Sequence, residues 1–305
     1  MVRADDDSWN IEESVGATAL GAAGSRADET ARDDQLFTDP YAHLFLQAAS
    51  ERGWERPYSA ELSDKVSETN RGLADWMRAL TNWAACRTKF IDDFFVAAAT
   101  SGIRQVAILA AGLDARAWRL QWPAGTVLIE IDQPGVLEFK ADTLRLHGFE
   151  STARYVAAAI DLRLDWPGLL CQKGFDPSVP TAWSAEGLLP YLPGVAQDLL
   201  FDRIRTLSAP GSRVAVDVYT EEFYENFAAT SENIRTGGYG KDSLDLSPMI
   251  FVEQRSDVVD EFSSHGWTVS VTSALERMAA VGRSPDDGVD TTAMAGSFVE
   301  ARLPF

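Results

Sequence analysis

The sequence predicts an α/β fold: a doubly wound, mostly parallel sheet of seven strands, with a helical cap ahead of it. Three observations carry that expectation. The hydrophobic period changes from helical to strand-like after Gly102; short apolar runs then alternate with helical segments to the end; and polar residues recur where those strands stop.

The first 70 residues hold weak helical patterns. The clearest start is Asp39-Pro40, an N-cap followed by Pro at the first helical position, leading into Tyr41, Leu44 and Phe45 at helical spacing. From about 72 to 100 a wide aromatic stripe through Leu73, Trp76, Met77, Leu80, Trp83, Phe90, Ile91 and Phe94 predicts a long, mostly buried helix. Strands follow at about 105–110, 126–131, 154–160, 180–185, 212–218, 267–272 and 297–303. Helices are expected at about 115–120, 133–147, 165–172, 194–208, 221–235, 255–265 and 273–281. Continuous apolar strands joined by crossover helices mean a parallel sheet covered on both faces. The Gly-, Ser- and Asp-rich run 236–248 reads as a mobile loop on the ligand face, within a lid insertion around 220–255. The expected division is therefore a cap over 1–100 and a core over 101–305.

Composition removes several classes of function. The chain has 305 residues, 46% hydrophobic and 24% charged, so it can bury a large core. A net charge of −19 argues against a surface that tracks phosphates, which needs clustered cations. The expected partners accordingly exclude nucleic acid. No apolar run approaches the roughly 20 residues that a bilayer span requires, and the acidic start Met1 to Asp7 lacks a signal-peptide core. Two cysteines and three scattered histidines form no disulfide framework, no metal-ligand spacing and no nucleophile-plus-base arrangement. Cys86 and Cys171 are expected in the core, the location is expected to be cytoplasmic, and no metal is expected.

In a doubly wound sheet a ligand sits beyond the carboxyl ends of the strands. The first such turn is Ala110-Ala111-Gly112-Leu113-Asp114-Ala115-Arg116, made of small residues where a backbone can approach a ligand. A turn built only for packing would read the same way. It has one glycine where a dinucleotide fingerprint needs three, which weakens an NAD-linked reading. Strand two ends in Glu130-Ile131-Asp132-Gln133-Pro134. Its tip acid, Asp132, suits the hydroxyls of a ribose, or else a helix cap. Strand three ends in Asp161-Leu162, an acceptor for an adenine amino group followed by an apolar wall. Strand four ends in Glu186-Gly187-Leu188-Leu189-Pro190-Tyr191, a carboxylate and then a phenol at the centre of the edge. Arg87 falls on the apolar stripe of the long helix, so it needs a partner: an acid of the protein or the carboxylate of a ligand.

Taken together, Arg87 to Asp92, Ala110 to Leu120, Glu130 to Pro134, Asp161-Leu162 and Glu186 to Leu192 resemble the leucine carboxyl methyltransferase family, specifically its mycobacterial S-adenosylmethionine-dependent branch. The resemblance covers nearly the whole chain and implies a Rossmann-like class I methyltransferase core with S-adenosyl-L-methionine as cofactor. It further implies that Arg87 holds the methionine carboxylate, Gly112 lies against the methionine part, Asp132 binds the ribose, Asp161 and Leu162 fit the adenine, and Glu186 takes the amino group. Arg26 is a further candidate for the carboxylate. The family usually has Gly where Ala110 stands, and Met where Pro190 stands. The expected reaction is O-methylation of a carboxylate on a small molecule or peptide, with Tyr191 orienting the acceptor. The alternatives are a non-catalytic binder of the same cofactor and an NAD-linked oxidoreductase.

Overall fold

The computed structural model describes residues 14–56, 60–68, 70–225 and 249–305. The chain divides into two units, one of residues 1–89, 219–252 and 272–297, the other of residues 90–218, 253–271 and 298–305. Of the expected lid segment, 226–248 lies outside the described residues, and with it most of the helix placed at 221–235 and the whole loop 236–248.

The second unit is organised by one seven-stranded sheet of order β3-β2-β1-β4-β5-β7-β6. Its strands are β1 (Gln105–Leu109), β2 (Val127–Asp132), β3 (Arg154–Ala159), β4 (Thr181–Ala185), β5 (Arg213–Val218), β6 (Thr268–Ser273) and β7 (Ser297–Arg302). Each lies within a residue or two of its expected range. The first five pair in parallel. The exception is β7: the amide of Gly211, just before β5, donates to Leu303, just after β7, so β7 runs antiparallel to β5. β1 and β4 are buried at every position, as a central parallel strand covered on both faces must be.

Crossover helices start where side-chain or proline signals place them. Pro134 opens α6 (Pro134–Leu146), and Asp165 caps α7 (Trp166–Gln172) by accepting from the Gly168 amide. Ser273 accepts from the Glu276 amide at the head of Ala274–Ala280, the S-x-x-E pattern of a capping box. The core beneath them joins Trp166, Trp183 and Phe175 to the strand residues Leu109, Ile129 and Val216, and to Phe201, Phe262 and Trp267. Trp183 is therefore a core residue, with its indole N–H donating to Ser208. Cys171 departs from expectation. It is exposed, because α7 turns Trp166 and Leu170 inward and leaves the next position in solvent, whereas Cys86 is buried.

In the first unit, α1 (Ser14–Thr30) and α2 (Ala42–Glu51) are tied by charge. Arg26 donates to Asp39 at 2.8 Å. The other oxygen of Asp39 accepts from the amides of Tyr41 and Ala42. Asp39 thus takes up amides just ahead of the helix, but it is not the N-cap expected of it: Tyr41 is, and α2 begins at Ala42, two residues after Pro40. Arg283 bridges Glu29 and Asp34. The short α3 (Ala60–Ser67) precedes the expected long helix, α4 (Arg71–Thr100), which begins in the first unit and ends in the second.

Candidate functional site

The sheet register brings three expected site residues, Asp132, Asp161 and Glu186, to one edge with the turn that starts at Ala110. Leu109 of β1 is level with Ile131 of β2 and with Ala185 of β4, so Ala110, Asp132 and Glu186 each leave their strand at the same height. Asp132 is level with Ala159 of β3, two residues before Asp161.

The turn after β1 is bent by two left-handed residues, Ala110 at φ 51° and Gly112 at φ 49°. For Gly112 that conformation is free of steric cost; for Ala110, the one non-glycine residue with positive φ among those described, it is strained by about 1–2 kcal/mol. We expect Ala110→Gly to raise stability by about 0.5–1 kcal/mol, less than the full strain because glycine also loosens the unfolded chain. A thermal melt checks this, and a lower melting temperature than the parent would contradict it. The bend turns the Gly112 amide onto Asp132 Oδ2 at 2.6 Å, while Oδ1 accepts from the Gln133 amide at 2.6 Å. Burial pushes the Asp132 carboxyl up, and these two amides, with the Lys140 charge, oppose it.

Gln133 extends the chain of contacts to Asp161 through its side-chain amide. Arg163 wraps the same carboxylate, with its backbone N–H and guanidinium at 2.7–3.0 Å. Burial would raise the Asp161 carboxyl, but the bonds from Arg163 outweigh it and hold it below the usual range. Leu162 follows, packed against the edge of the core.

Glu130, the second acid of strand two, is not at the edge. It is fully buried, meets Lys140 at 2.5 Å and accepts from Tyr155 at 2.8 Å; burial pushes its carboxyl up to about 7. Lys140, also fully buried, donates to the Asp114 carbonyl at 3.0 Å. The pair therefore props the turn from below.

On the other side Glu186 is held by a residue to which sequence reasoning gave no role. Arg116 opens the four-residue α5 (Arg116–Arg119) and is 2% exposed. Its Nη1 donates to Glu186 at 2.7 Å and to Asp114 at 2.5 Å, and its Nε to Asp92 at 2.6 Å. Asp92 also receives both terminal nitrogens of Arg119, at 2.6 and 2.5 Å. Burial alone would lower Arg116, but the three carboxylates outweigh it and keep the guanidinium charged. Gly187, next to Glu186, donates its amide to the buried Asp217 at 2.7 Å. Tyr191 ends the 3-10 turn Leu189–Tyr191 that follows and is partly exposed.

Arg87 belongs to the first unit. Its guanidinium donates to the Tyr219 hydroxyl at 3.2 Å and lies 4.9 Å from the centre of the Trp83 ring, the stacked setting that guanidinium favours over ammonium. Arg26 is the buried partner of Asp39 described above. Among the described residues no cluster of His, Cys, Asp and Glu could hold a metal ion, and no helix is long and apolar enough to cross a membrane.

A sequence profile of leucine carboxyl methyltransferases matches residues 19–205, more than half of the chain. The chain belongs to that family. Over 311 aligned residues it is 47% identical to a protein of Mycobacterium marinum, with 99% of each chain covered, and 46% identical to one of Mycolicibacterium paratuberculosis, with 99% of this chain and 97% of the relative covered. Both relatives bear the name "Putative S-adenosyl-L-methionine-dependent methyltransferase". Two crystal structures share the fold at a TM-score of 0.52 and 16% identity over 93% of this chain. One is a DUF574 family protein from Streptomyces avermitilis and the other is titled a "putative methyltransferase" from Thermobifida fusca. They cover the matching chains to 97% and 94%.

Proposed function

We propose that this chain transfers a methyl group from S-adenosyl-L-methionine to a carboxylate oxygen of a small molecule or peptide. The observation that carries the cofactor half is the line of acceptors along one sheet edge, Asp161, Asp132 and Glu186, flanking the small-residue turn at Ala110 and Gly112 in a chain of the leucine carboxyl methyltransferase family. The cofactor is S-adenosyl-L-methionine. When bound, it supplies an electrophilic methyl group on a sulfonium sulfur.

The residues fit that group by charge. Asp132, fixed by two amides, offers acceptor capacity to ribose hydroxyls, and Asp161 with Leu162 suits an exocyclic amine and a ring face. Glu186 suits an ammonium. For the methionine carboxylate, the resemblance of Arg87 to Asp92 to the family's motif supports Arg87 as the partner. Gly112, with no side chain, leaves the turn open to close approach.

A carboxylate acceptor is already anionic at neutral pH, so this chain need only orient it and exclude water. That agrees with the polar side chains named along this edge, which are carboxylates, guanidinia, the Gln133 amide and Tyr191. Tyr191→Phe is expected to lower kcat/KM for the acceptor by about tenfold, on the scale of one lost hydrogen bond, and to leave cofactor affinity unchanged. An unaltered rate would remove the hydroxyl from the mechanism.

The test of the reaction is methyl transfer from methyl-labelled cofactor to panels of carboxylic acids, phenols and amines. Carboxyl methyl esters release volatile methanol in mild alkali, whereas methyl ethers and amines do not. Alkali-labile label only with acids supports the proposal; stable label on phenols or amines replaces the acceptor class. Cofactor binding with no transfer to any of the three would favour a non-catalytic binder, a reading to which the strained Ala110 lends some support. The single glycine of the turn and the family both speak against NAD.

A further inference from the structure

The turn after β1 and the tip of β2 are joined twice, once at the ligand edge and once beneath it. At the edge, Asp132 accepts from the Gly112 amide. Two residues deeper on β2, Glu130 meets the Lys140 ammonium at 2.5 Å; two residues further along the turn, the Asp114 carbonyl accepts from the same ammonium at 3.0 Å. Lys140 stands on α6, which opens directly after Asp132 and Gln133 and so returns the ammonium beneath the edge. Glu130 and Lys140 are both fully buried, and Tyr155 of β3 completes the group by donating to Glu130 at 2.8 Å. The Asp114 carboxylate faces away from this group, toward Arg116.

Stability alone does not account for such a pair, because desolvation offsets most of the attraction and apolar residues of similar volume would hold the segments as well. What apolar residues would not supply is a positive charge beneath Asp132, acting through a protein interior where charges are weakly screened. Burial raises the Asp132 carboxyl, and the Gly112 and Gln133 amides and the Lys140 charge oppose that rise; Asp161, itself bound by Arg163, adds to it. We infer that Lys140 is a positioning residue for the nucleoside: it pins the turn from below and keeps Asp132 the anion that ribose hydroxyls require, with Glu130 as the counter-ion that allows the ammonium to be buried.

This inference rests on the reading of Asp132 as the ribose acid, and the experiment separates the two. The full chain is titrated calorimetrically with S-adenosylhomocysteine at pH 6 and at pH 8, on either side of neutrality. The double variant Glu130→Gln with Lys140→Met removes the pair together, so no buried charge is stranded and the fold should survive. It should bind about tenfold more weakly than the parent at pH 6 but less than about threefold more weakly at pH 8, because without the ammonium Asp132 takes up a proton more readily as the pH falls. The parent should change by less than about twofold over the same range, and in an Asp132→Asn background the double change should cost less than about twofold at either pH. A loss of equal size at both pH values, or one that persists in the Asp132→Asn background, makes Lys140 a prop of the fold alone and overturns the inference, as does no loss at all. Asp132→Asn with the affinity of the parent sinks instead the reading of Asp132 as the ribose acid, and the inference with it. Should the double variant not fold, Glu130→Gln alone decides. It leaves the ammonium facing Asp132, so an affinity at pH 6 equal to or above that of the parent supports the inference, and a loss there overturns it.

Discussion

Arg116→Met is expected to destabilise the protein by about 3–5 kcal/mol, the cost of leaving buried carboxylates without their cation. Arg116 is 2% exposed and is the common partner of Asp92, Asp114 and Glu186, so its loss takes one cation from three acids at once, although Asp92 keeps Arg119. Lys140 does not replace it, since its bonds go to Glu130 and to the Asp114 carbonyl. At about 2–4 °C per kcal/mol for a chain of this size, the melting temperature should fall by on the order of 10 °C. Differential scanning calorimetry reads this directly. A fall of only a degree or two would show that the acids relax by taking up protons or water, and that the cluster is not what holds the turn, the long helix end and the tip of β4 together.

Asp132→Ala is expected to weaken the affinity for S-adenosylhomocysteine by about 10- to 100-fold, the value of one or two charge-assisted hydrogen bonds. The same substitution releases the amides of Gly112 and Gln133, which lose their acceptor. Part of the loss would therefore come from a looser turn rather than from a missing ligand contact. Asp132→Asn divides the two contributions. It keeps a side-chain oxygen for one amide and a polar group at the ribose position, so a loss for Asn approaching that for Ala identifies the charge as the working feature. Unchanged affinity in both variants would remove Asp132 from the site.

The sheet was legible because parallel strands buried on both faces have little freedom of composition. QVAIL of β1 and VLIEID of β2 announce themselves as apolar runs, and the turn residues after them mark the edge where ligands gather. The acids at the strand tips were legible for the same reason: a carboxylate directly after an apolar run, as at Asp132, Asp161 and Glu186, stands at the boundary of the core. What the sequence concealed was pairing at long range. Arg116 and Glu186 are separated by 70 residues and Arg116 and Asp92 by 24, and no periodicity links them. A weak signal did exist. Asp92, Asp114, Arg116 and Arg119 all lie within the stretches that carry the family resemblance, and charges so near an apolar stripe must be paired. The same limit applied to Glu130. Its alternation with Asp132 puts both on one side of β2, and only the structure shows that Lys140 and Tyr155 claim the deeper of the two.

A crystal structure with S-adenosylhomocysteine bound tests the central claim most directly. The expected result places the ribose hydroxyls on Asp132, the adenine amine beside Asp161 and Leu162, and the amino group on Glu186, with the nucleoside lying against the Ala110–Gly112 turn. Density for the nucleoside away from this edge, or a ribose that makes no contact with Asp132, would contradict it.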